Sequence, residues 1–304
     1  MQIYKLALID YIKILVKSVN IEHLYSNPNL TFFRKVSTQT GEVKTKEIAH
    51  YHFCNITIYD NGTVIFKGSI HKFWNSLNQC LAPNYKTDNY VGFNGNLFNY
   101  QNLQDTIKHL VELFDCKPQQ MIIRNVEFGI NAEIDFNPNK FLKGLLFHNG
   151  TPFESQFNRN YYEVMHQQYK IKIYNKSYQY QMNNNVLRFE LKYFKMLEIH
   201  KLGVFTLNDL TGINFIKIFN LLLKRFDEIV YFDKTIIENT LSKNEKTMFK
   251  NYSNLSYWID DLKPNHRHRH KKRLKELIEK KSMNLHLKIK NELIKKCVII
   301  NQKL

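Results

Sequence analysis

The chain has 304 residues, which is enough for two domains or for one large domain with an appendage. Its hydrophobic fraction of 43% and charged fraction of 23% are ordinary for a globular protein and exclude wholesale disorder. Its net charge of +17 is unusually high and indicates a polyanionic partner, such as DNA, RNA or an anionic membrane surface.

Local features of the sequence argue against a membrane-spanning protein, a secreted protein, and a protein built on disulfides or a zinc cluster. No uncharged apolar run approaches the roughly 18 residues that a membrane-spanning helix needs. Lys5, Asp10 and Lys13 interrupt the apolar N-terminal stretch, which also lacks a signal-peptide cleavage pattern. The four cysteines are scattered without a C-x-x-C pair, which predicts reduced thiols in a cytoplasmic protein rather than a disulfide framework or a zinc cluster. Nucleic acid is therefore the expected partner, and no membrane association is expected.

Both strands and helices are predicted, without an internal repeat. In chain order, the predicted strands cover residues 6–17, 50–59, 63–68, 121–130, 169–175 and 186–194, with Asn61-Gly62 as a hairpin turn. Helical spacing marks residues 102–114, and Thr206-Leu-Asn-Asp209 resembles a capping box ahead of a helix that runs through Phe226. Strands outnumber the intervening helices before residue 200. We therefore expect an α+β fold with a central, mostly antiparallel sheet, flanking helices and a basic C-terminal helical arm.

The positive charge is concentrated at the C-terminal end. We divide the chain into an α+β domain over 1–210, a helical extension over 211–262 and a basic arm over 263–304, which holds 14 Lys and Arg against three acids. The first cations of the arm precede a helix-like stretch with an apolar face: Arg267, Arg269, Lys271, Lys272 and Arg273, then Leu274, Leu277 and Ile278. These cations predict binding to the DNA backbone, with affinity but no sequence information. One alternative is a solvated basic helix. Another is a histidine metal site, but the arginines between the histidines would repel a bound cation.

Three predicted strands carry polar side chains on one face, because side chains alternate across a strand. The candidate site residues on these faces are Asn125, Glu127 and Asn131; Lys170, Lys172, Tyr174 and Lys176; Arg188, Glu190 and Lys192. By the same alternation, Tyr169 and Arg124 belong to the apolar faces of their strands. If the three strands are neighbours, one face of the sheet presents a tyrosine, two carboxylates, amides and several cations.

This set of side chains suits metal-assisted phosphoryl chemistry. A free tyrosine has a pKa near 10 and is a poor nucleophile at neutral pH. Neighbouring lysines favour its phenolate, and a divalent ion polarises the scissile phosphate. The hard oxygen ligands Glu127, Glu190 and Asn131 suit Mg²⁺ or Mn²⁺. The plain structural alternative is that Glu190 only pairs with lysines on the neighbouring strand.

Two segments carry a resemblance to a known family. The sequence YKIKIYNK over Tyr169–Lys176, followed by LRFEL over Leu187–Leu191, resembles rolling-circle replication initiators. Both the replication endonucleases of filamentous phages and the initiators of small Gram-positive plasmids show this combination. The Val126-Glu127…Asn131 element and the KGSIHKF segment over Lys67–Phe73 also resemble the phage type. The resemblance covers roughly residues 50–210.

The resemblance implies an origin-specific DNA endonuclease that nicks one strand to start replication of a phage or plasmid. It implies Tyr174 as the nucleophile that becomes joined to the 5′-phosphate, Lys176 and Arg188 as catalytic partners that contact the phosphate, and Glu127 and Glu190 as metal ligands. At Asn131, where the plasmid family has Asp, this chain departs from the pattern. The implied cation is Mg²⁺ or Mn²⁺, and Lys170, Lys172 and Lys192 would contact DNA. A host helicase and polymerase would be partners in the cytoplasm, and a homodimer stays open.

Alternatives remain for the metal ligands, for the nucleophilic tyrosine and for the function. His50 and His52 have the spacing by which another nickase superfamily binds its metal, although Cys54 and the isoleucines beyond it would share their strand face. Tyr161, Tyr162, Tyr178 and Tyr180 are rival tyrosines, and the last two could supply a second attack. A non-catalytic DNA-binding repressor or origin-binding protein would use the same basic surfaces without a covalent step. RNA binding has less support, because no RNA-binding module is recognisable.

Overall fold

The computed structural model describes residues 9–85 and 90–298, so the start of the predicted strand over 6–17 lies outside the described residues. The chain divides into two compact units that interleave along the sequence. The first unit comprises the described parts of residues 1–129, 191–220 and 297–304, and the second comprises residues 130–190 and 221–296. The boundaries expected at residues 210 and 262 stay predictions.

The strands and helices have the following bounds. The β-strands are β1 (Ile9–Val16), β2 (Phe33–Val36), β3 (Val43–Tyr51), β4 (Cys54–Tyr59), β5 (Val64–Ser69), β6 (Met121–Glu133), β7 (Leu145–His148), β8 (Thr151–Pro152), β9 (Glu154–Gln156), β10 (Tyr161–Met165), β11 (Tyr169–Asn175), β12 (Val186–Tyr193) and β13 (Ile229–Tyr231). The α-helices are α1 (Ile21–Tyr25), α2 (Ile70–Leu77), α3 (Tyr100–Phe114), α4 (Pro138–Leu142), α5 (Lys176–Tyr180), α6 (Leu197–His200), α7 (Gly212–Asp227), α8 (Lys243–Tyr252), α9 (Arg267–Lys281) and α10 (Leu285–Val298).

The sheet of the first unit is antiparallel. Its strands lie in the order β2-β3-β4-β5-β1-β6. The predicted hairpin turn between β4 and β5 is confirmed, and Gly62 there has a φ of +77°, a conformation that glycine adopts without strain. Helices α2 and α3 cover one face of the sheet, where the rings of Phe73 and Phe114 lie 5.8 and 5.9 Å from that of Phe66. The apolar residues of these elements form the core of this unit.

The second unit contains two groups of strands. Strands β12, β11, β10 and β9 lie side by side in this order, and β13, β7 and β8 form a separate small antiparallel sheet. On β11 the alternation is as predicted, since Tyr169, Ile171 and Ile173 are buried. The packing role expected for Tyr169 is therefore confirmed.

The basic arm is helical, as predicted, and both of its helices bury an apolar face. The buried residues are Leu274, Leu277 and Ile278 of α9 and Leu285, Ile289 and Leu293 of α10. At the start of α10, the backbone N–H of Leu285 donates to Asp233 Oδ2 over 2.7 Å. The two helices are therefore part of the core of the second unit rather than a loose tail.

The predicted α+β class, with a large antiparallel sheet and flanking helices, is confirmed. The capping box at Thr206 and Asp209 is also present, around a short 3-10 turn that precedes α7. No helix within the described residues combines the length and apolar character needed to cross a bilayer.

The prediction of one strand over residues 50–59 is wrong. Strand β3 ends at Tyr51, and His52 and Phe53 form a turn with φ values of +45° and +61° before β4 begins. His50 and His52 consequently do not share a strand face. His50 Nδ1 pairs with Asn55 Oδ1, and His52 Nδ1 lies 2.9 Å from Ser76 Oγ.

The prediction that Arg124 lies on the apolar face of its strand is also wrong. Ile14 of β1 pairs with Ile123, but Lys13 pairs with Asn125, so β6 contains one extra residue at this point. Such a bulge shifts the alternation of side chains along the strand. Arg124 is therefore exposed instead of sharing the apolar face with Val126.

Candidate active site

Tyr174 lies at the end of β11, where the chain turns into helix α5. The turn forms because the side chain of Asn175 caps the helix by accepting the backbone N–H of Tyr178 over 3.0 Å. Lys176 is consequently the first residue of α5. The Tyr174 Oη atom donates to Glu190 Oε1 over 2.9 Å, and Lys176 Nζ lies 3.3 Å from the same Oη.

Glu190 on β12 is the centre of a buried network. Its side chain is 1% exposed and accepts hydrogen bonds from Tyr174, from Lys172 Nζ over 2.9 Å and from Arg188 Nε. Burial opposes the charge of the carboxylate, but Lys172, Arg188 and Lys176 outweigh it and hold the pKa of Glu190 well below its ordinary value. The carboxylate is therefore ionised across the neutral range.

Lys176 is wholly buried, unlike most lysines. Its ammonium group lies 5.3 Å from the ring centroid of Tyr174 and 4.9 Å from that of Tyr180. The group was expected to contact phosphate, but the structure places it against the phenol oxygen of Tyr174. A cation in this position favours negative charge on that oxygen.

Arg188 links the network to Asn131, a residue predicted to bind a metal. Arg188 Nη1 donates to Asn131 Oδ1 over 2.9 Å. The amide oxygen expected to bind a metal is thus a hydrogen-bond acceptor for the guanidinium. The structure brings Tyr174, Lys176, Glu190 and Asn131 together around Arg188 and Lys172, as the alternation predicts.

The rival tyrosines differ from Tyr174 in their surroundings. The ring of Tyr161 lies 5.6 Å from that of Tyr174, but its Oη donates to Glu163 over 2.6 Å. Burial, and then this hydrogen bond, raise the pKa of Tyr161 far above its ordinary value. Tyr162 and Tyr180 are buried, whereas Tyr178 is 56% exposed. Lys170 is also held by Glu163, over 2.8 Å.

The first unit holds a second group of buried charges. Glu127 on β6 is 5% exposed, and its Oε2 lies 3.6 Å from Lys192 Nζ. The Lys192 ammonium also lies 3.8 Å from the ring centroid of Tyr11, which is opposite Glu127 on β1. Burial, and then Glu127, raise the pKa of Tyr11.

Asp10 joins Glu127, and sequence reasoning missed it. It is 3% exposed and accepts hydrogen bonds from Ser69 Oγ and, over 2.7 Å, from Asn94 Nδ2. Carboxylate oxygens of Asp10 and Glu127 lie within 4.8 Å of each other. The signal was present in the sequence, because an aspartate in the middle of an apolar strand must either be paired or bind a cation.

Comparisons with protein-family models, with curated proteins and with solved structures give no significant match. The likeness to rolling-circle initiators therefore stays a prediction from the motifs.

The predicted DNA-binding cations of the arm divide into two kinds. Arg267 Nη2 donates to the carbonyl of Ile259 over 3.1 Å, and the ammonium of Lys271 lies 5.4 Å from the ring centroid of Phe147. Burial, and then Arg267, lower the pKa of Lys271. The remaining three, Arg269, Lys272 and Arg273, are exposed on α9 and accessible to a polyanion.

Proposed function

We propose that the protein is a DNA endonuclease and strand transferase in which Tyr174 is the nucleophile. The observation that carries the proposal is the position of the Tyr174 oxygen, which lies within hydrogen-bonding distance of both Glu190 and the buried Lys176. A tyrosine that only packs against its neighbours needs neither a fully buried carboxylate nor a fully buried ammonium at its hydroxyl.

In the proposed reaction, the Tyr174 oxygen attacks one phosphodiester of a DNA strand. An O–P bond to tyrosine forms while the bond from phosphorus to the 3′ oxygen breaks. The phenol proton is lost to solvent, and the departing 3′ oxygen takes a proton from water. Lys176 stabilises the charge on the attacking oxygen, while Arg188 and Lys172 hold Glu190 in place. One phosphodiester replaces another, so the reverse step can rejoin DNA ends.

The carboxylates fit a hard divalent cation. Asp10 and Glu127 bring two buried anionic groups close together, an arrangement that a cation would stabilise. The motifs also imply Glu190 as a ligand, and that assignment stays a prediction. Mg²⁺ or Mn²⁺ held there would polarise the phosphate. Asn131 is assigned instead to the orientation of Arg188.

The proposed biological role is the one that the motifs imply. The protein would nick the replication origin of a phage or plasmid in the cytoplasm and leave a 3′ hydroxyl for a host polymerase and helicase. The basic helix α9 would add sequence-independent affinity for DNA.

The test is the capture of a covalent adduct. The full-length protein is incubated with Mn²⁺ and a random-sequence pool of 3′-labelled single-stranded DNA, then separated under denaturing conditions. Wild-type protein and the exposed-tyrosine control Tyr178→Phe should form a DNA adduct that peptide mass spectrometry places on Tyr174, and Tyr174→Phe should form none. An adduct on another tyrosine would overturn the assignment. Reversible binding without any adduct would favour the non-catalytic DNA-binding protein.

The metal assignment has its own test, independent of DNA. Asp10→Asn keeps the acceptor oxygen for Ser69 and Asn94 but removes one charge. We expect Mn²⁺ to raise the melting temperature of the wild-type protein and of the exposed-residue control Asp105→Asn, but not of Asp10→Asn. An equal rise in all three proteins would contradict a site at Asp10.

A further inference from the structure

The sheet of the first unit has one covered and one open face. Side chains of Ile56, Phe66 and Ile14 are fully buried on the face that α2 and α3 cover. Residues in register on neighbouring strands share a face. The open face of the four strands β3, β4, β5 and β1 is formed by Lys46, Ile48 and His50; Asn55, Thr57 and Tyr59; Ile65, Lys67 and Ser69; Tyr11, Lys13 and Leu15.

The open face is positively charged. It carries Lys46, Lys67 and Lys13 among these positions, and none of the positions is acidic. Lys67 and Lys13 lie directly opposite each other on β5 and β1. Two like charges in this relation repel and destabilise a sheet, and neither lysine forms an ion pair with a described residue. An anion between them would turn the repulsion into attraction.

The two lysines belong to one line of residues across the sheet. His50 is opposite Asn55, Asn55 is opposite Lys67, and Lys13 is opposite Asn125 on β6. From β3 to β1 this line spans about 14 Å, since neighbouring strands are about 4.8 Å apart. It lies beside the carboxylate pair, because Tyr11 is two residues from Lys13 and is itself opposite Glu127.

Aromatic rings stand at the outer end of the line. Phe33 on the edge strand β2 is opposite Ile48, so it also belongs to the open face, and it is 38% exposed. Its ring centroid lies 5.3 Å from that of His50. Cations that follow a nucleic-acid backbone, combined with aromatic rings on which bases stack, are the usual means of binding single strands.

We propose that the open face of the first unit binds single-stranded DNA, with phosphates at Lys13 and Lys67 and a base stacked on Phe33 and His50. The inference rests on the proposed function, because it supplies the path by which a strand reaches the carboxylates. It assigns a partner to a surface that contains neither the nucleophile nor the basic arm. Duplex DNA would offer phosphates to the lysines but no free base to Phe33.

The experiment measures binding without cleavage. Fluorescence anisotropy with labelled poly(dT), in EDTA and in a Tyr174→Phe background, compares Lys13→Gln/Lys67→Gln with the control Lys108→Gln/Lys117→Gln, whose lysines are exposed away from this face. Loss of two phosphate contacts should lower the slope of log affinity against log salt by about 1.4 for the first pair only. Phe33→Leu should weaken poly(dT) binding about tenfold and leave duplex binding unchanged.

Two outcomes would overturn the inference. One is a salt slope of Lys13→Gln/Lys67→Gln equal to that of the control pair. The other is equal weakening of poly(dT) and duplex binding by Phe33→Leu. The Lys13→Gln/Lys67→Gln variant should stay folded, because removal of the repulsion between the two lysines should leave the melting temperature unchanged or higher. A change in binding can therefore be distinguished from loss of folding. Since EDTA and Tyr174→Phe exclude the covalent step, these results are independent of whether the protein nicks DNA.

Discussion

Tyr174 donates a hydrogen bond to Glu190, and the three cations that lower the pKa of Glu190 include the same Lys176 that lies 3.3 Å from the phenol oxygen. The phenol and the carboxylate therefore share one electrostatic environment. A change at any member of the network should alter both the charge of Glu190 and the reactivity proposed for Tyr174.

Glu190→Gln should destabilise the protein strongly. The change leaves Lys172 and Arg188 buried without their counter-charge, which should lower the free energy of unfolding by about 3 kcal/mol. The control is Glu163→Gln on β10, where the Lys170 pair is partly exposed and a loss of at most about 1 kcal/mol is expected. Urea unfolding measures both. Similar losses for the two variants would show that the Glu190 network contributes little to stability.

Lys176→Met should slow adduct formation by about 100-fold at neutral pH. Methionine keeps the volume of the aliphatic chain against Tyr180 but removes the charge beside the Tyr174 oxygen. The remaining activity should rise with pH more steeply than that of the wild type. Without the cation that favours the Tyr174 phenolate, its formation then depends on the concentration of hydroxide. Lys170→Met, on β11 and held by Glu163, should keep the wild-type pH profile. A parallel pH profile for Lys176→Met would mean that Lys176 is only structural.

His148 should make the second unit sensitive to acid. It is completely buried, with Nδ1 2.8 Å from His166 Nε2 and Nε2 3.2 Å from Glu228 Oε2. Burial, and then His166 and Arg225, lower the pKa of His148 to about 4, against the opposing effect of Glu228. The unfolded chain, with a histidine pKa near 6.5, then binds a proton between pH 6.5 and 4 that the folded chain does not bind. Stability should fall by roughly 3 kcal/mol as the pH drops through this window and be unaffected above it.

Urea unfolding at pH 7 and at pH 4.5 measures this effect. His148→Gln should lose less stability between the two pH values than the wild type, whatever its stability at pH 7. His23→Gln, which changes an exposed histidine, should behave as the wild type does. An unchanged pH dependence in His148→Gln would assign the acid sensitivity to other groups.

The exposed cations of α9 should contribute to duplex binding without affecting chemistry. Deletion of the arm is a poor test, because it would remove the buried Leu274 and Ile289 from the core of the second unit. Arg269→Gln/Lys272→Gln should instead lower the salt slope of duplex binding by about 1.8 and leave adduct formation on short oligonucleotides unchanged. Lys243→Gln/Lys246→Gln on α8 is the matched control. Lost adduct formation would show that α9 helps to build the site.

Alternation along strands was sufficient to predict the local arrangement of the candidate site. It placed Tyr174 and Lys172 on one face of β11 and Arg188 and Glu190 on one face of β12, and these side chains contact one another in the structure. The pattern works here because β11 and β12 are regular. The helical spacing of Leu274, Leu277 and Ile278 likewise predicted the buried face of α9.

The failures have specific physical causes. The bulge at Arg124 and the turn at His52 each break a period of two, and neither has a glycine or proline to mark it. Asp10 was missed because its partner Glu127 is more than a hundred residues away in the sequence, so only the pairing of β1 with β6 brings them together. The role of Asn131 follows from its hydrogen bond with Arg188, and the alternation of residues along a strand does not predict which side chains form hydrogen bonds.

Strand β12 buries Leu187, Phe189 and Leu191 on one side and Arg188 and Glu190 on the other. A shift by one residue would exchange the two sides and place the ionic groups among the apolar ones. Insertions or deletions of a single codon between residues 186 and 193 should therefore be lethal to folding, whereas the loop over 181–185 can change in length. Natural variants of this chain should align without gaps across this strand, and a library of in-frame codon deletions would show the same boundary.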